Sequence, residues 1–259
     1  MMYPFYKMQG LGNDFAIFLN NPDFKDPLFD FKSFTTFVAD RRFGIGCDQI
    51  IFVDQETHFI RFFNADGSEA ESCGNGTRCA ADLLLKLEHK EEVTLDSKGG
   101  TLVCKRVNNL ISVILKKPII KGDIPLFPED VFLKSGVFVD VGNPHLVLLD
   151  PLDDFLNFGP ELENHPYFPN RTNVGFANVK DANTIDLKVW ERGSGLTKAC
   201  GSGACAAAIA AYEKGFCEST ILVQQSGGNL VIEIGEDTIT KIGPSELIFE
   251  GKLMKTLDV

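Results

Sequence analysis

The pattern of hydrophobic and polar positions predicts a chain built mainly of short strands. Short apolar or β-branched runs, each bounded by turn-forming residues, are typical of strands. They occur at residues 15–19, 50–53, 59–63, 93–95, 101–107, 110–115, 137–141, 146–149, 172–179, 185–190, 221–225 and 230–234. Phe31, Phe34, Phe37 and Val38 instead recur at helical spacing. They predict a short helix with an apolar face, ending before Gly44.

Two longer predicted helices begin with nearly the same sequence. Residues 72–87 start Ser-Cys-Gly-Asn-Gly and residues 199–214 start Ala-Cys-Gly-Ser-Gly, and both continue into small or apolar residues. The first backbone N–H groups of a helix have no partner within the helix, and the helix dipole is positive there. A carboxylate can bind to those N–H groups, and a thiol there ionises more easily. Cys73 and Cys200 are therefore the leading candidates for chemistry.

The order of the motifs repeats along the chain, which indicates an internal duplication. Residues 12–15 match residues 142–145, and residues 43–46 match residues 172–175, at offsets of 130 and 129. Residues 63–64 and 73–76 match residues 190–191 and 200–203 at an offset of 127. Both helices are almost wholly apolar and must be surrounded by protein. We therefore expect an α+β fold of two pseudo-symmetric domains, each a curved, mainly antiparallel sheet or barrel wrapped around a central helix.

The first domain is predicted to comprise residues 1–117 with a C-terminal strand at residues 248–259, and it carries Cys73. Residues 118–247 form the second domain, which carries Cys200. Three prolines and a glycine make residues 116–128 the best candidate linker. Residues 150–171 are polar and proline-rich, and we expect a loop there.

Composition excludes several classes of function. A net charge of −11 argues against nucleic acid or an anionic membrane as the main partner. The chain shows no signal peptide and no apolar stretch of about 20 residues, so we expect neither export nor membrane insertion. Seven cysteines then suggest free thiols in the cytoplasm. There is no Cys-x-x-Cys pair and the four histidines are scattered, so zinc is not expected. Five cysteines are interpreted as buried structural residues: Cys47, Cys79, Cys104, Cys205 and Cys217.

Two thiols facing one carbon atom can invert its configuration. A thiolate on one face removes a proton, and a thiol on the other face returns one, with the roles exchanged in the reverse direction. Two negative charges at close range repel, so the pair should titrate as a coupled unit. Arg192 directly follows Glu191 in the turn that duplicates Asn64, which favours a functional role, and an arginine can bind a carboxylate through two hydrogen bonds. These residues predict a small, anionic substrate.

The sequence resembles the diaminopimelate epimerase family over nearly the whole chain. The resemblance rests on residues 10–15 (Gly-Leu-Gly-Asn-Asp-Phe), 42–46 (Arg-Phe-Gly-Ile-Gly) with 48–49 (Asp-Gln), 64–68 (Asn-Ala-Asp-Gly-Ser), 73–76, 142–145 (Gly-Asn-Pro-His), 172–175 (Thr-Asn-Val-Gly), 191–193 (Glu-Arg-Gly) and 199–204. It implies an isomerase of lysine and peptidoglycan precursor biosynthesis, with no pyridoxal phosphate, no metal and no other cofactor. It also implies a homodimer.

The resemblance further implies the residues of the site. Cys73 and Cys200 are expected to be the acid and base, with Glu191 and His145 close to the reacting centre. The residues expected to bind the substrate are Asn13, Gln49, Asn64, Gly74, Asn75, Asn143, Asn173, Arg192, Gly201 and Ser202. Among these, residues 74, 75, 201 and 202 would present backbone N–H groups to the reacting carboxylate.

Other functions remain open at this point. A racemase of a smaller acidic amino acid such as glutamate could use the same helix starts and Arg192. Proline-type racemases share the paired cysteines, but they usually carry histidine where this chain has Asn75. A phenazine-type isomerase would replace one cysteine with a carboxylic acid. A non-catalytic binder of small anions has no need of two thiols, and the chain has no Gly-x-x-x-x-Gly-Lys sequence.

Overall fold

The computed structural model describes residues 2–126, 135–149 and 155–254, without the side chains of residues 155 and 156. The chain divides into two compact units, Met1–Val113 with Gly243–Val259, and Ile114–Ile242. The predicted domain boundaries, at 117/118 and 247/248, are offset from these by four and five residues. No helix in the described ranges is both long and apolar enough to cross a membrane.

Eighteen strands and four α-helices occur in the described residues, with one short 3-10 helix at Pro22–Lys25. The elements in the first half of the chain are β1 (Met2–Gly10), β2 (Asn13–Leu19), α1 (Phe31–Ala39), β3 (Gln49–Asp54), β4 (Phe59–Asn64), β5 (Glu69–Ala70), α2 (Gly74–Leu87), β6 (Glu92–Ser97), β7 (Gly100–Val107) and β8 (Leu110–Lys116). Those that follow are β9 (Ile119–Pro125), β10 (Ser135–Asp140), β11 (Pro144–Leu148), α3 (Phe155–Glu163), β12 (Asn173–Asp181), β13 (Thr184–Glu191), β14 (Gly195–Thr197), α4 (Gly201–Glu213), β15 (Thr220–Gln225), β16 (Gly228–Ile234), β17 (Thr238–Gly243) and β18 (Glu246–Met254).

The two units repeat the same strand pairings. In the first, β1 pairs with β18 and β2, β2 runs parallel to β3, β3 pairs with β4, and β4 pairs with β5 and runs parallel to β6. In the second, β10 pairs with β9 and β11, β11 runs parallel to β12, β12 pairs with β13, and β13 pairs with β14 and runs parallel to β15. The other pairs are antiparallel. The predicted duplicated α+β fold is confirmed.

Each unit wraps its sheet around one buried helix, as predicted. In α2, the residues from Asn75 to Leu85 are all buried, and the helix packs on β1, β2, β3, β6 and β7. In α4, the residues from Gly203 to Ala211 are all buried, and the helix packs on β10–β13, β15 and β16. Gly76 allows the close approach in the first unit, because a Cβ there would lie 2.9 Å from Ile51 Cδ1. Burial of these apolar helices fixes where each N-terminus lies.

Strand register corrects one part of the predicted repeat. Gln49 lies opposite Phe15 across the β2–β3 pair, and Asn173 lies opposite His145 across the β11–β12 pair. Since Phe15 and His145 are equivalent, the counterpart of Asn173 is Gln49, at an offset of 124. The predicted match of residues 43–46 with residues 172–175 is therefore wrong. The glycine-containing turns look alike, but the hydrogen-bonded ladder sets the register.

The predicted linker at residues 116–128 is wrong for most of its length. Residues Ile119–Pro125 form β9, which pairs with β10, and residues 127–128 lie outside the described ranges. Proline cannot donate to a strand ladder, but an edge strand tolerates it, here as Pro125 at the strand end. The three prolines and one glycine of residues 116–128 made this edge strand resemble a linker.

The predicted loop at residues 150–171 is also wrong in part, because it contains α3. Its sequence has Phe155, Phe158 and Leu162 at helical spacing, but Pro160 stands inside the helix. Residues 150–154 of the predicted loop lie outside the described ranges. The helix is the counterpart of α1 at the offset of 124 shown by the strands. His145, predicted in a turn, lies within β11.

Candidate active site

Cys73 and Cys200 each occupy the N-cap position of the central helix of a unit. Cys73 has an extended backbone, and its Sγ accepts a hydrogen bond from Gly76 N at 3.4 Å. Cys200 has the same geometry, with Gly203 N donating to its Sγ at 3.4 Å. Backbone N–H donors and the positive helix end favour an ionised sulfur. The predicted placement of both thiols at helix starts is confirmed.

The two thiols differ in their exposure and charge environment. Cys200 is only 4% exposed, whereas Cys73 is half-buried. Burial raises the pKa of the Cys200 thiol well above its usual range, and the negative charge of Glu191 raises it further. The Glu191 carboxylate accepts a hydrogen bond from Thr197 Oγ1 at 2.6 Å. Burial and the charge of Glu191 both favour the protonated form of the Cys200 thiol.

Neutral polar side chains lie at the ends of the strands in the first unit. Cys73 Sγ donates to Asn13 Oδ1 at 3.9 Å. Gln49 Nε2 donates to Asn64 Oδ1 at 2.8 Å, across the register pair that joins β3 to β4. Gln49 Oε1 is buried without a hydrogen-bond partner in the described ranges. A buried acceptor left open in this way can receive an N–H group of a ligand.

Arg78 is a residue of this site that the sequence interpretation missed. Its guanidinium is fully buried on α2 and donates to Asn75 Oδ1 at 2.9 Å and to Gly74 O at 3.3 Å. It also donates to Pro244 O at 3.2 Å. An arginine near the start of α2, among small and apolar residues, was the available signal. Its contacts fix the first turn of α2, whose N–H groups are the predicted anion site.

The start of α4 is held by different polar residues. Ser202 Oγ lies 3.5 Å from Cys200 Sγ, and Cys200 N donates to Gln225 Oε1 at 2.8 Å. Gln225 Nε2 is buried and has no partner within the described residues. The side chain of Lys241, 3% exposed, approaches Gly201, where an added Cβ would lie 3.0 Å from Nζ. Gln225 and Lys241 lie on strands of ordinary composition, so no sequence signal marks them.

His145 is a neutral histidine with a defined proton position. It is fully buried, and burial together with the charge of Arg192 lowers its pKa to about 3. Its Nε2 lies 3.2 Å from Asn143 Oδ1. An amide oxygen can only accept, so Nε2 carries the hydrogen and Nδ1 does not. Nδ1 is buried without a partner among the described residues.

Asn173 and Arg192 lie together at the adjacent ends of β12 and β13. Asn173 Nδ2 donates to Pro144 O at 3.0 Å, and its Oδ1 accepts from Arg192 N at 3.0 Å. The exposed side chain of Arg192 donates through Nη1 to Asn170 O at 3.1 Å. The main chain of Arg192 is therefore tied to Asn173, and its guanidinium reaches the surface of the unit.

The predicted site residues fall into groups within each unit. Asn13, Gly74 and Asn75 lie beside Cys73, and Gln49 bonds to Asn64. Glu191, Gly201 and Ser202 lie beside Cys200, Asn143 bonds to His145, and Asn173 bonds to Arg192. No cluster of His, Cys, Asp or Glu suited to a metal ion occurs in the described part of the chain.

Sequence comparison connects this arrangement to one family. The family model for diaminopimelate epimerase matches residues 5–114 and 137–248. A diaminopimelate epimerase of Phenylobacterium zucineum is 40% identical, over 96% of this chain and 97% of the relative. One of Pelagibacter ubique is also 40% identical, over 92% of this chain and 94% of the relative.

Solved structures show the same fold at low sequence identity. A phenazine biosynthesis protein of the PhzF family from Enterococcus faecalis has a TM-score of 0.73 at 16% identity, covering 98% of this chain and 100% of that one. A hydroxyproline epimerase from Agrobacterium vitis has a TM-score of 0.66 at 12% identity, covering 97% and 92%. These likenesses concern the fold alone.

Proposed function

Because this chain belongs to the diaminopimelate epimerase family, we propose that it inverts the α-carbon of LL- and meso-diaminopimelate through Cys73 and Cys200, without pyridoxal phosphate. One observation carries the proposal: duplication has placed a cysteine at the N-cap of both central helices. A structural cysteine has no reason to recur at that position. The reaction is a step of lysine and peptidoglycan precursor biosynthesis.

The proposed reaction moves two protons and changes no oxidation state. A thiolate takes the α-proton, and the electron pair of the broken C–H bond moves into the substrate carboxylate. A thiol then gives its proton to the opposite face of the carbon, so the enzyme ends with the other sulfur ionised. Backbone N–H groups at the two helix starts stabilise the charge that develops on the carboxylate.

Cys200 is the sulfur that we propose as the acid of the resting enzyme. Its burial and the adjacent Glu191 both favour the protonated form. Both sulfurs accept a backbone N–H at the same distance, but Cys73 is less buried than Cys200, so it suits the role of base. When the reaction runs in the other direction the two start with exchanged protonation states.

The polar residues account for recognition of a substrate with two carboxylates and two amines. Arg192 is the proposed cation for the distal carboxylate, tied in place through Asn173. Gln49 has a buried acceptor that suits an ammonium N–H. The neutral amides of Asn13, Asn64 and Asn143 complete the proposed set. A monocarboxylic substrate such as proline leaves Arg192 unused.

Isotope exchange tests the proposal. Enzyme and LL-diaminopimelate incubated in D2O should yield meso-product with deuterium at one α-carbon, as measured by mass spectrometry. Cys73→Ala and Cys200→Ala should each lose net epimerisation by more than 100-fold, since each removes one of two required proton carriers. Epimerisation at the wild-type rate by either variant would sink the mechanism. Parallel assays on glutamate and proline stereoisomers test the choice of substrate, and a faster reaction with either would replace diaminopimelate.

We also propose a homodimer in the cytoplasm. The edge strand β18 supports the dimer, because Leu247, Ile248 and Phe249 on it are 40–50% exposed. Met2 and Met254 are exposed at the paired ends of β1 and β18. An apolar strand edge of this kind is a template for pairing with another chain. The seven cysteines, none of which forms a disulfide in the described residues, support a reducing compartment.

A further inference from the structure

Asn13 connects the thiol of Cys73 to the carboxylate of Asp48, which has no part in the proposed proton transfers. Asn13 Nδ2 donates to Asp48 Oδ2 at 2.9 Å, and Cys73 Sγ donates to Asn13 Oδ1 at 3.9 Å. A carboxylate can only accept hydrogen bonds. The bond to Asp48 therefore fixes the amide of Asn13 with its nitrogen toward Asp48 and its oxygen toward the thiol.

Asp48 is itself held by charged neighbours. Arg41 Nη2 donates to Asp48 Oδ1 and to Asp14 Oδ1, both at 2.7 Å, and Arg41 Nη1 donates to Asp14 Oδ2 at 3.0 Å. Lys7 pairs with Asp14 at 2.5 Å. Burial alone would raise the pKa of Asp14, but the hydrogen bonds from Arg41 and Lys7 hold it well below its usual range. Charge-assisted bonds of this kind restrict both carboxylates to one orientation.

The second unit has the equivalent asparagine without this cluster. Asn143 is the counterpart of Asn13, and its Oδ1 lies 3.2 Å from His145 Nε2. Pro144 stands where the first unit has Asp14, and the counterpart of Asp48 at the offset of 124 is Thr172. The amide oxygen of Asn143 therefore faces a histidine N–H. The two asparagines are therefore held in different ways. A carboxylate orients the amide of Asn13 so that its oxygen faces a thiol, whereas a histidine N–H faces the oxygen of Asn143.

We propose that Asp48, held by Arg41 and Asp14, is a positioning residue that orients Asn13 so that its amide oxygen accepts the Cys73 thiol hydrogen. That bond is made only by the protonated sulfur, so it stabilises the thiol relative to the thiolate. A flipped amide would direct N–H toward the sulfur and have the opposite effect. In the fixed orientation one N–H of Asn13 also remains for a ligand. The inference rests on the proposed function only in taking Cys73 as an acid or base.

Other charged and titratable groups surround the start of α2. They include Arg78 and Cys79 on α2 itself, and Glu71, whose backbone carbonyl accepts a hydrogen bond from Gly99 N. Lys98 pairs with Glu69 on β5. These groups are the same in every variant described below. Their influence on Cys73 therefore cancels when the variants are compared.

The test is the pH dependence of Cys73 alkylation. In a Cys200→Ala background, the rate at which iodoacetamide modifies Cys73 is followed by peptide mass spectrometry between pH 6 and 10. Asp48→Asn frees the amide of Asn13, so the midpoint should move down by about half a pH unit, which is about threefold faster alkylation below the midpoint. Asn13→Ala removes the acceptor and should move it in the same direction. Asp66→Asn, on the exposed turn before β5, should leave it unchanged.

A double variant separates orientation from charge. If Asp48 acts through Asn13, adding Asp48→Asn to Asn13→Ala produces no further shift. An equal shift with and without Asn13 would mean that only the charge of Asp48 matters, and it would overturn the proposal. Should Asp48→Asn lose its thermal unfolding transition, Asn13→Ala decides alone, and an unchanged midpoint there overturns the proposal as well. Alkylation does not require a substrate, so these results stand apart from the epimerase assays.

Discussion

At the scale of single residues, the two cysteines are equivalent in position and unequal in environment. Both cap a helix through a backbone N–H, but Cys200 is buried beside Glu191 while Cys73 is half-buried beside Asn13. The duplicated framework supplies two sulfurs, and the residues around each of them determine its proton affinity. Predictions at this scale therefore concern protonation.

Glu191→Gln should make Cys200 easier to ionise. Removing the negative charge stabilises the Cys200 thiolate, so the thiol pKa falls, by about one unit for a charge at close range. The amide of the variant can still accept from Thr197. Alkylation of Cys200 against pH in a Cys73→Ala background measures the shift. Glu233→Gln, on the exposed side of β16, is the matched control. Identical Cys200 profiles in Cys73→Ala with and without Glu191→Gln would contradict the assignment.

His145 should make the folded protein sensitive to acid. Its pKa of about 3 lies below the ordinary value of 6.5, so below pH 6.5 the unfolded chain binds a proton that the folded chain does not. This contribution to stability is present above pH 6.5 and is lost as the pH falls toward 3. At pH 5 the loss is about 2 kcal/mol.

His145→Phe is the variant that tests this, because the equivalent residue of the first unit is Phe15. Its free energy of unfolding in urea should fall less between pH 7 and pH 5 than that of the wild type, by about 2 kcal/mol. His89→Asn, at an exposed position, should keep the wild-type dependence. An equal fall in the wild type and His145→Phe would show that His145 is protonated in the folded state.

At the scale of elements, the position of each thiol depends on how closely its helix approaches the sheet. A Cβ at Gly203 would lie 2.8 Å from Val189 Cγ2 and 3.4 Å from Cys200 Sγ. Gly203→Ala should therefore push α4 away from β13, destabilise the protein by about 1–3 kcal/mol, and lower kcat by displacing the sulfur. Gly175→Ala is the control, since its nearest neighbour would be 3.6 Å away. Thermal unfolding and kcat measured together check both effects. A Gly203→Ala variant with the unfolding temperature and kcat of the wild type would contradict them.

Sequence reasoning predicted correctly the elements whose residue pattern depends on local structure alone. The helix starts at Cys73 and Cys200 were predicted correctly, because capping and glycine spacing are local signals. The edge strand β9 was missed because the prolines around it resemble a linker. The helix α3 was missed because Pro160 and its polar, proline-rich surroundings are typical of a loop. Strand register depends on pairing between distant segments, so the equivalence of Gln49 and Asn173 needed the structure.

Sequence reasoning named candidate site residues, but it missed several residues that hold them in place. Arg78, Gln225 and Asp48 contact predicted site residues without forming a motif with them in the sequence. Gln225 and Asp48 act through contacts between segments far apart in the chain, which no local pattern reports. Arg78 contacts site residues within its own helix and also reaches the distant Pro244. Residues that support a site are therefore the part that sequence reasoning misses.

At the scale of the whole molecule, duplication gives each unit one extra edge strand, and the two differ in their surfaces. β18 lies against β1, and β9 lies against the equivalent strand β10. β18 exposes Leu247, Ile248 and Phe249, whereas the large exposed hydrophobic residue on β9 is Ile119. Since the strands are equivalent in the fold, the apolar surface of β18 needs an explanation of its own, and self-association supplies one.

Charges on β18 should therefore yield a monomer. Leu247→Lys with Ile248→Lys places two like charges on the strand edge, and lysine at an edge blocks pairing with another chain. Light scattering after size-exclusion chromatography should show the wild type at twice the chain mass of 28.5 kDa and the double variant at that mass. Ile119→Lys, equally exposed on the equivalent strand β9, should remain a dimer. A wild type that elutes as a monomer at micromolar concentration, or a double variant that stays dimeric, would show that β18 is not the contact between subunits.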